Sequence, residues 1–315
     1  MNILAALPYW QFGPWTLIDN VPGFNMPLQI HSFGMLVAIG LLLALTMGSR
    51  RAEQKMGFSG ESFQNFGFFL IAFGWCFSHV FDVVFYQPEQ LAENPWIIFQ
   101  VWGSISSYGG LLGGIIAVFI WKKMHPDMDL LKWADHAAWA LPFAWFFGRM
   151  GCASVHDHPG GLAPDGWPLA LLFPDGTIRH DLGFYEMMWW GVIVATFVIL
   201  DRKPRPKGFF LGLLFVMYAP IRFTLDFLRV WPQSAEGTID VNGFVQFFLD
   251  ILQVQAEVYT YGGDKRYFDL TPAQFVSMGI FTAGVIILSR AMKKEPVTWE
   301  KFEHPNPNGE KPKSE

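Results

Sequence analysis

The amino-acid sequence predicts an all-α fold, a polytopic membrane helix bundle with seven transmembrane helices, the N-terminus outside and the C-terminus cytoplasmic. Three observations predict it: the composition, a set of bilayer-length apolar runs, and the placement of positive charge. Of 315 residues, 52% are hydrophobic and 17% aromatic, with 32 Phe and 14 Trp, and only 16% are charged. An ordinary soluble domain carries about 25% charged residues. Two cysteines, Cys76 and Cys152, are too few for a disulfide scaffold. A net charge of −5 argues against nucleic acid as a partner.

A spanning helix needs about 20 mostly apolar residues, because about 30 Å of hydrocarbon is crossed at 1.5 Å per residue. The stretches that qualify are Leu28–Gly48, Ser62–Tyr86, Val101–Trp121, Trp133–Met150, Leu182–Leu200, Gly208–Leu228 and Pro272–Leu288. The fourth is short and opens on Asp135 and His136. Residues 1–27, rich in Trp, Phe and Pro, have no basic n-region and are broken by Pro8 and Pro14, so an interfacial segment is expected rather than a cleavable signal. Residues 28–288 form the membrane domain, and 289–315 a cytoplasmic tail expected to be disordered. Loops at 151–181 and 229–271 are long enough to carry function, and Val241–Val258 is apolar enough to lie along the membrane surface.

Orientation follows from Lys and Arg. The segments after the first, third, fifth and seventh spans hold sixteen of the 22 basic residues, and the positive-inside rule makes that side cytoplasmic. An outside N-terminus with a cytoplasmic C-terminus requires an odd number of spans, in agreement with seven.

Ionisable groups inside spans are costly, and each is a functional candidate. Tyr218, Arg222, Asp226 and Arg229 are spaced four, four and three apart, within about 80° of one helix face. They form an ion-pair ladder with one unmatched cation, or a site where two guanidiniums receive a phosphate. Pro220 should kink the helix where this stripe begins. At the end of the fourth span, Gly148 and Gly151 flank Arg149, which is either a phosphate ligand or an interfacial snorkelling side chain. The following His156-Asp157-His158 string invites a metal, but a third ligand is not obvious and no metal site is expected. Ser107-Tyr108-Gly109-Gly110 opens the third span with glycines suited to helix packing, and Tyr108 at their head is placed to touch a ligand. His180, Tyr185 and Glu186 gather near the start of the fifth span, and His79 and Asp82, one turn apart in the second, can satisfy each other.

Together these blocks resemble the bacterial prolipoprotein diacylglyceryl transferases over roughly Pro27–Leu288. The resemblance rests on Gly148–Gly151, on the block from Tyr218 to Arg229, on Tyr185-Glu186, on Ile30–Met35 and on Tyr108–Leu111. It implies a multi-pass enzyme of the bacterial inner membrane, without cofactor. The enzyme would transfer a diacylglyceryl group from phosphatidylglycerol to the lipobox cysteine thiol of a preprolipoprotein signal peptide. By this resemblance Arg149 and Arg222 hold the donor phosphodiester and stabilise charge on the departing glycerol phosphate. Asp226 and Arg229 support them, Tyr218 and Glu186 orient them, and Tyr185, Asp157, Gly160, Gly109 and Gly110 complete the substrate site. The chain departs from the family pattern at Tyr108 (usually His), Phe33 (Tyr), Cys152 (Asn) and Asp157 (Glu). A neutral tyrosine is a poor base near neutrality, so His156, His158 and His180 are candidate bases. The alternatives are a non-catalytic paralogue binding phosphatidylglycerol or a lipobox peptide, and a membrane transporter, which would need a continuous polar path.

Overall fold

The computed structural model describes residues 6–21, 27–101, 103–164, 166–229, 243–253, 268 and 270–303. In chain order these form β1 (Leu7–Pro8), β2 (Trp15–Ile18), β3 (Leu28–Ile30), α1 (Ser32–Lys55), α2 (Gly60–Tyr86), α3 (Pro88–Glu93), a 3-10 turn at Pro95–Phe99, α4 (Ser107–Met124) and α5 (Leu130–Val155). There follow β4 (Pro159–Leu162), β5 (Leu171–Leu172), β6 (Ile178–Asp181), α6 (Leu182–Leu200), α7 (Phe209–Leu225), a 3-10 turn at Asp226–Leu228, α8 (Gly243–Ile251) and α9 (Pro272–Ala291). Among the described residues, five helices are long and apolar enough to cross a membrane: α1, α2, α6, α7 with its 3-10 extension, and α9. The third and fourth expected spans correspond to α4, which carries Lys122 and Lys123 in its last turn, and α5, whose apolar run is interrupted by Lys132, Asp135 and Arg149.

The chain divides into two compact units, 1–44 with 137–297, and 45–136 with 298–315. In the second, α4 lies on α2 with its glycines at the contact. A Cβ on Gly109 would stand 2.4 Å from Phe81 Cβ, and one on Gly113 would stand 2.5 Å from Phe77 Cβ. Gly109 is therefore a packing residue, because any side chain there would force the helices apart. The third span starts later than the apolar run suggests, since Ile97, Val101 and Ser104 bond to side chains of α2. His79 faces the carbonyls of Ser104 (3.0 Å) and Ile97 (2.9 Å), and the Asp82 carboxylate accepts from Gln87 (2.6 Å) and Ser104 (2.5 Å). The expected His79–Asp82 pairing is replaced by these bonds, which satisfy the polar groups of a non-helical segment. The same unit buries Arg51, whose Nη1 donates to His136 Nδ1 at 2.7 Å while His136 Nε2 donates to the Gly48 carbonyl at 2.9 Å. Beyond α9, Trp299 lies under the Lys55 ammonium, and Phe302 N–H donates to the Glu53 carbonyl at 2.7 Å. The tail is thus tied down as far as it is described; residues 304–315 lie outside the described residues.

The first unit contains the mixed sheet and the helices that carry the candidate site. The sheet runs β1-β5-β6-β4, with β1 parallel to β5 and the other pairs antiparallel. It is built from the 151–181 loop plus one strand of the N-terminal segment, and the sequence reading contained neither these strands nor the β2–β3 pair. The first span begins four residues late, because Leu28–Ile30 pair as β3 with β2. Two prolines sit inside helices, Pro142 in α5 and Pro220 in α7. Near the second, Trp189 Nε1 donates to the Met217 carbonyl at 2.9 Å, a side-chain contact on the turn that Pro220 weakens. Of the 229–271 loop, α8 is described: Val245 and Leu249 pack on Phe227 and Leu270, while Phe244, Phe247 and Ile251 face outward.

Candidate active site

Arg149 lies on the penultimate turn of α5, Glu186 on the first turns of α6, and Tyr218 and Arg222 on the last turns of α7. Arg149 Nε is 2.7 Å from Glu186 Oε2, and Arg222 Nη1 donates to Asp226 Oδ1 at 2.9 Å. Glu186 acts electrostatically on Arg149, on Arg222 and on Tyr218, so one buried carboxylate joins the two guanidiniums and the phenol in one cluster. Arg222 keeps the Asp226 partner expected of the ladder, and Arg149 has a carboxylate of its own because Glu186 arrives from another helix.

Exposure separates the cations from their partners. The arginine side chains are 19% and 18% exposed, whereas Glu186 and Asp226 are 6% and 1%. The carboxylates are buried, while the arginine side chains keep part of their surface exposed. A guanidinium has five N–H donors in a rigid fork, so a single ion pair leaves donors for a second anion. The Arg149 to Glu186 contact lies off the hydrogen-bond direction, so the buried Oε2 keeps unused acceptor capacity.

Asp226 is held by a residue that the sequence reading missed. The Thr271 hydroxyl donates to its second oxygen, and Thr271 is also the N-cap of α9 in a capping box with Gln274. The Thr-Pro-Ala-Gln pattern was the available signal. Arg229 leaves the predicted stripe, because α7 ends at Leu225 and tightens into a 3-10 turn, placing Arg229 in extended backbone beyond the helix.

The glycines beside Arg149 differ. A Cβ on Gly151 would meet Phe33 at 3.0 Å, so α1 and α5 approach there, while Gly148 has nothing within 4 Å and faces open space. Gly160 is filled on all sides: a Cβ would stand 2.8 Å from His180 Cβ and 3.0 Å from the Leu228 carbonyl. This is a packing requirement, and a direct ligand contact is not needed to explain it. A Cβ on Gly110 would meet Ser78 on α2 at an ordinary 3.7 Å. Tyr108 is the second residue of α4.

The three candidate bases have unlike surroundings. His156 is enclosed, donating through Nδ1 to Asp181 and through Nε2 to the Trp10 carbonyl. Burial opposes its charge, but these bonds outweigh burial and raise its pKa above the ordinary histidine value. His180 is also enclosed. Burial lowers its pKa to about 4, Nδ1 shares a 3.0 Å hydrogen bond with Tyr185 Oη, and Nε2 has no partner among the described residues. Tyr185 is accordingly a partner of the loop rather than of the arginines. His158 alone is half-exposed, and its Nδ1 is 2.6 Å from Asp157 Oδ1.

Beside Arg149, its Nη1 is 3.8 Å from Cys152 Sγ. The Cys152 sulfur, an Asp157 oxygen and a His158 nitrogen lie within 4.8 Å of one another. This is the third metal-ligand candidate that the His-Asp-His string lacked, brought in from one turn earlier on α5.

The pattern of the prolipoprotein diacylglyceryl transferase family matches residues 23–290. A phosphatidylglycerol–prolipoprotein diacylglyceryl transferase of Glaesserella parasuis is 31% identical over 241 residues, covering 73% of this chain and 87% of its own length. Proteins of the same name from Chromohalobacter salexigens (32% identical, 67% of this chain and 79% of theirs) and Vibrio parahaemolyticus (33%, 67% and 78%) are similarly related. The chain belongs to the prolipoprotein diacylglyceryl transferase family.

Proposed function

We propose that the protein transfers the diacylglyceryl group of phosphatidylglycerol to the lipobox cysteine thiol of preprolipoproteins at the outer side of the bacterial inner membrane. The observation that carries this reading is the convergence of Arg149 and Arg222 through Glu186, with both guanidiniums partly open and both carboxylates buried. In this reading the arginines bind the phosphodiester with their remaining N–H groups. Their attraction strengthens as the C–O bond breaks and charge collects on glycerol phosphate, which is differential binding of the transition state. Tyr218, 5.2 Å from the Trp190 ring, stands beside the arginines and helps to orient them. A transporter would need polar groups along a continuous path; within the first unit the titratable cluster instead gathers at one end of α5, α6 and α7.

The proposed topology has seven spans, an outside N-terminus and a cytoplasmic C-terminus. It is supported by the five apolar helices, by α4 and α5 at the positions of the other two, and by the sixteen basic residues on alternate segments. In this topology the Arg149 end of α5 faces outward, where exported prolipoproteins emerge.

Complementation of a bacterium depleted of its own diacylglyceryl transferase tests the function. Rescue is expected from the wild type. Arg149→Ala and Arg222→Ala should each reduce transfer about 10²–10³-fold, the usual effect of removing one donor from developing charge. Unchanged rescue by both variants would remove the arginines from the chemistry. Failure of a correctly inserted, well-expressed wild type would favour a paralogue that binds lipid or signal peptide without reacting.

A further inference from the structure

We propose that Thr271 is a positioning residue of the transfer site: its hydroxyl occupies the second oxygen of Asp226 and so keeps Arg222 from closing on both oxygens of that carboxylate, which leaves the rest of the guanidinium fork for the phosphodiester. The inference rests on the transfer reading above and adds to it a residue that acts through Asp226.

Arg222 and Asp226 are four residues apart at the end of α7, where Asp226 opens the 3-10 turn. Arginine and carboxylate frequently meet fork to fork, through two parallel N–H···O bonds. Among the described residues this pair is joined by one such bond, from Arg222 Nη1 to Asp226 Oδ1 at 2.9 Å. The other oxygen, Oδ2, accepts from the Thr271 hydroxyl. The direction of that bond is fixed on both sides. The Thr271 oxygen already accepts the Gln274 N–H at 3.2 Å, and an ionised carboxylate has no proton to give, so the hydroxyl proton points to Asp226.

Thr271 is held in place before it meets Asp226. It is buried as the N-cap of α9, and its own N–H donates to Gln274 Oε1 at 2.9 Å. Gln274 is fully buried and donates through Nε2 to the Phe223 carbonyl, beside Arg222, at 3.3 Å. The start of α9 is thus fastened to the end of α7 through the Phe223 backbone and the Asp226 side chain together.

The consequence for Arg222 follows from satisfaction of the carboxylate. Asp226 is 1% exposed and Arg222 18%, and a buried acceptor left without a donor is costly. Without the Thr271 hydroxyl, Arg222 is the partner with N–H groups to spare, and turning a second one inward satisfies Oδ2. That rotation withdraws an edge of the fork from an incoming phosphate and commits more of the positive charge to Asp226. With Thr271 present, the carboxylate is stabilised by a hydroxyl and by the N-terminal end of α9, which favours anions. Arg222 then needs to contribute one N–H.

Full-length protein in detergent, titrated with short-chain phosphatidylglycerol and assayed for transfer to a lipobox peptide, provides the test. Thr271→Val should weaken phosphatidylglycerol binding and raise its KM by about 10–100-fold, the range of one hydrogen bond to a charged group. Thr271→Ser, which keeps the hydroxyl, should stay within about threefold of wild type. Thr271→Gly covers a valine variant that fails to fold, because glycine is nearly as good an N-cap, and it should lose binding by the same factor as Thr271→Val. Arg222→Lys separates positioning from mere support, since lysine has no fork to close. In that background Thr271→Val should cost less than about twofold, whereas a purely structural residue would cost the same factor in both. Wild-type affinity in folded Thr271→Val or Thr271→Gly, equal losses in the two backgrounds, or failure of Thr271→Ser to retain binding overturns the inference. Any of these in a protein that still forms S-diacylglyceryl peptide leaves the transfer reading intact. The expected binding pattern in a protein that forms no S-diacylglyceryl peptide supports the positioning role and overturns the transfer reading, and wild-type protein that binds no phosphatidylglycerol overturns both.

Discussion

His156 and His158 are two residues apart in one turn, yet they occupy opposite kinds of surroundings. His156 is enclosed, with a partner for each ring nitrogen, and joins three parts of the first unit: the N-terminal segment through Trp10, the end of α5, and the start of α6 through Asp181. His158 is half-exposed, is tied among the described residues to its neighbour Asp157, and lies close to Cys152. One histidine holds the loop and the other is left available for chemistry. A local motif therefore does not have a single role; each residue's role is set by what the rest of the chain brings to it.

The contrast can be broken most directly by removing His156. His156→Ala leaves Asp181 buried without its cation, and loss of one partner of a buried pair costs about 3–5 kcal/mol. The denaturation midpoint in detergent should fall sharply, while His158→Ala should stay within about 0.5 kcal/mol of wild type. Equal losses would dissolve the distinction.

A pH series sharpens it. His156 has a raised folded pKa, so its contribution is fully present below its unfolded value and is lost as pH rises through the folded value. His180 has a folded pKa lowered to about 4 by burial, against about 6.5 unfolded, so its contribution is present above about 6.5 and lost as pH falls toward 4. The two act in opposite directions. His180→Gln should flatten the acid limb of the stability profile and His156→Gln the limb above neutrality, as read by melting temperature at each pH.

The glycines extend the comparison with smaller effects. Gly160→Ala must displace His180 or the Leu228 carbonyl, an overpacking cost of about 1–3 kcal/mol. Gly148→Ala meets nothing within 4 Å. In a helix it should be neutral or stabilising by up to about 1 kcal/mol, so a fall in its rate of lipid transfer without loss of stability would mark the open space beside Arg149 as substrate-occupied.

Much of the helical framework was legible because hydrophobic length is a one-dimensional property. Leu182–Leu200 is a helix with the predicted ends, and Pro272 and Tyr86 each bound a helix as expected. The errors fall where local signals compete with distant partners. Leu28–Ile30 was apolar enough to begin a span but pairs with β2, and the run before α4 was apolar enough to continue one, but Ser104 and Ser106 are drawn onto α2 through His79 and Ser78. The β4–β6 sheet was invisible because its strands are short and irregular, and one pairs in parallel with an N-terminal strand more than 160 residues away.

The candidate site divides in the same way. Which residues are expensive to bury is plain from the chain alone: Arg149, Glu186, Arg222 and Asp226 stand out against an apolar background wherever they are met. Their pairing came from the fold: Glu186 reaches Arg149 from another helix, Thr271 saturates Asp226, and Cys152 lies beside Asp157 and His158. The physical reason is that the cost of burying a charge is a property of one residue, whereas the interaction that offsets it belongs to a geometry assembled from helices far apart in the chain.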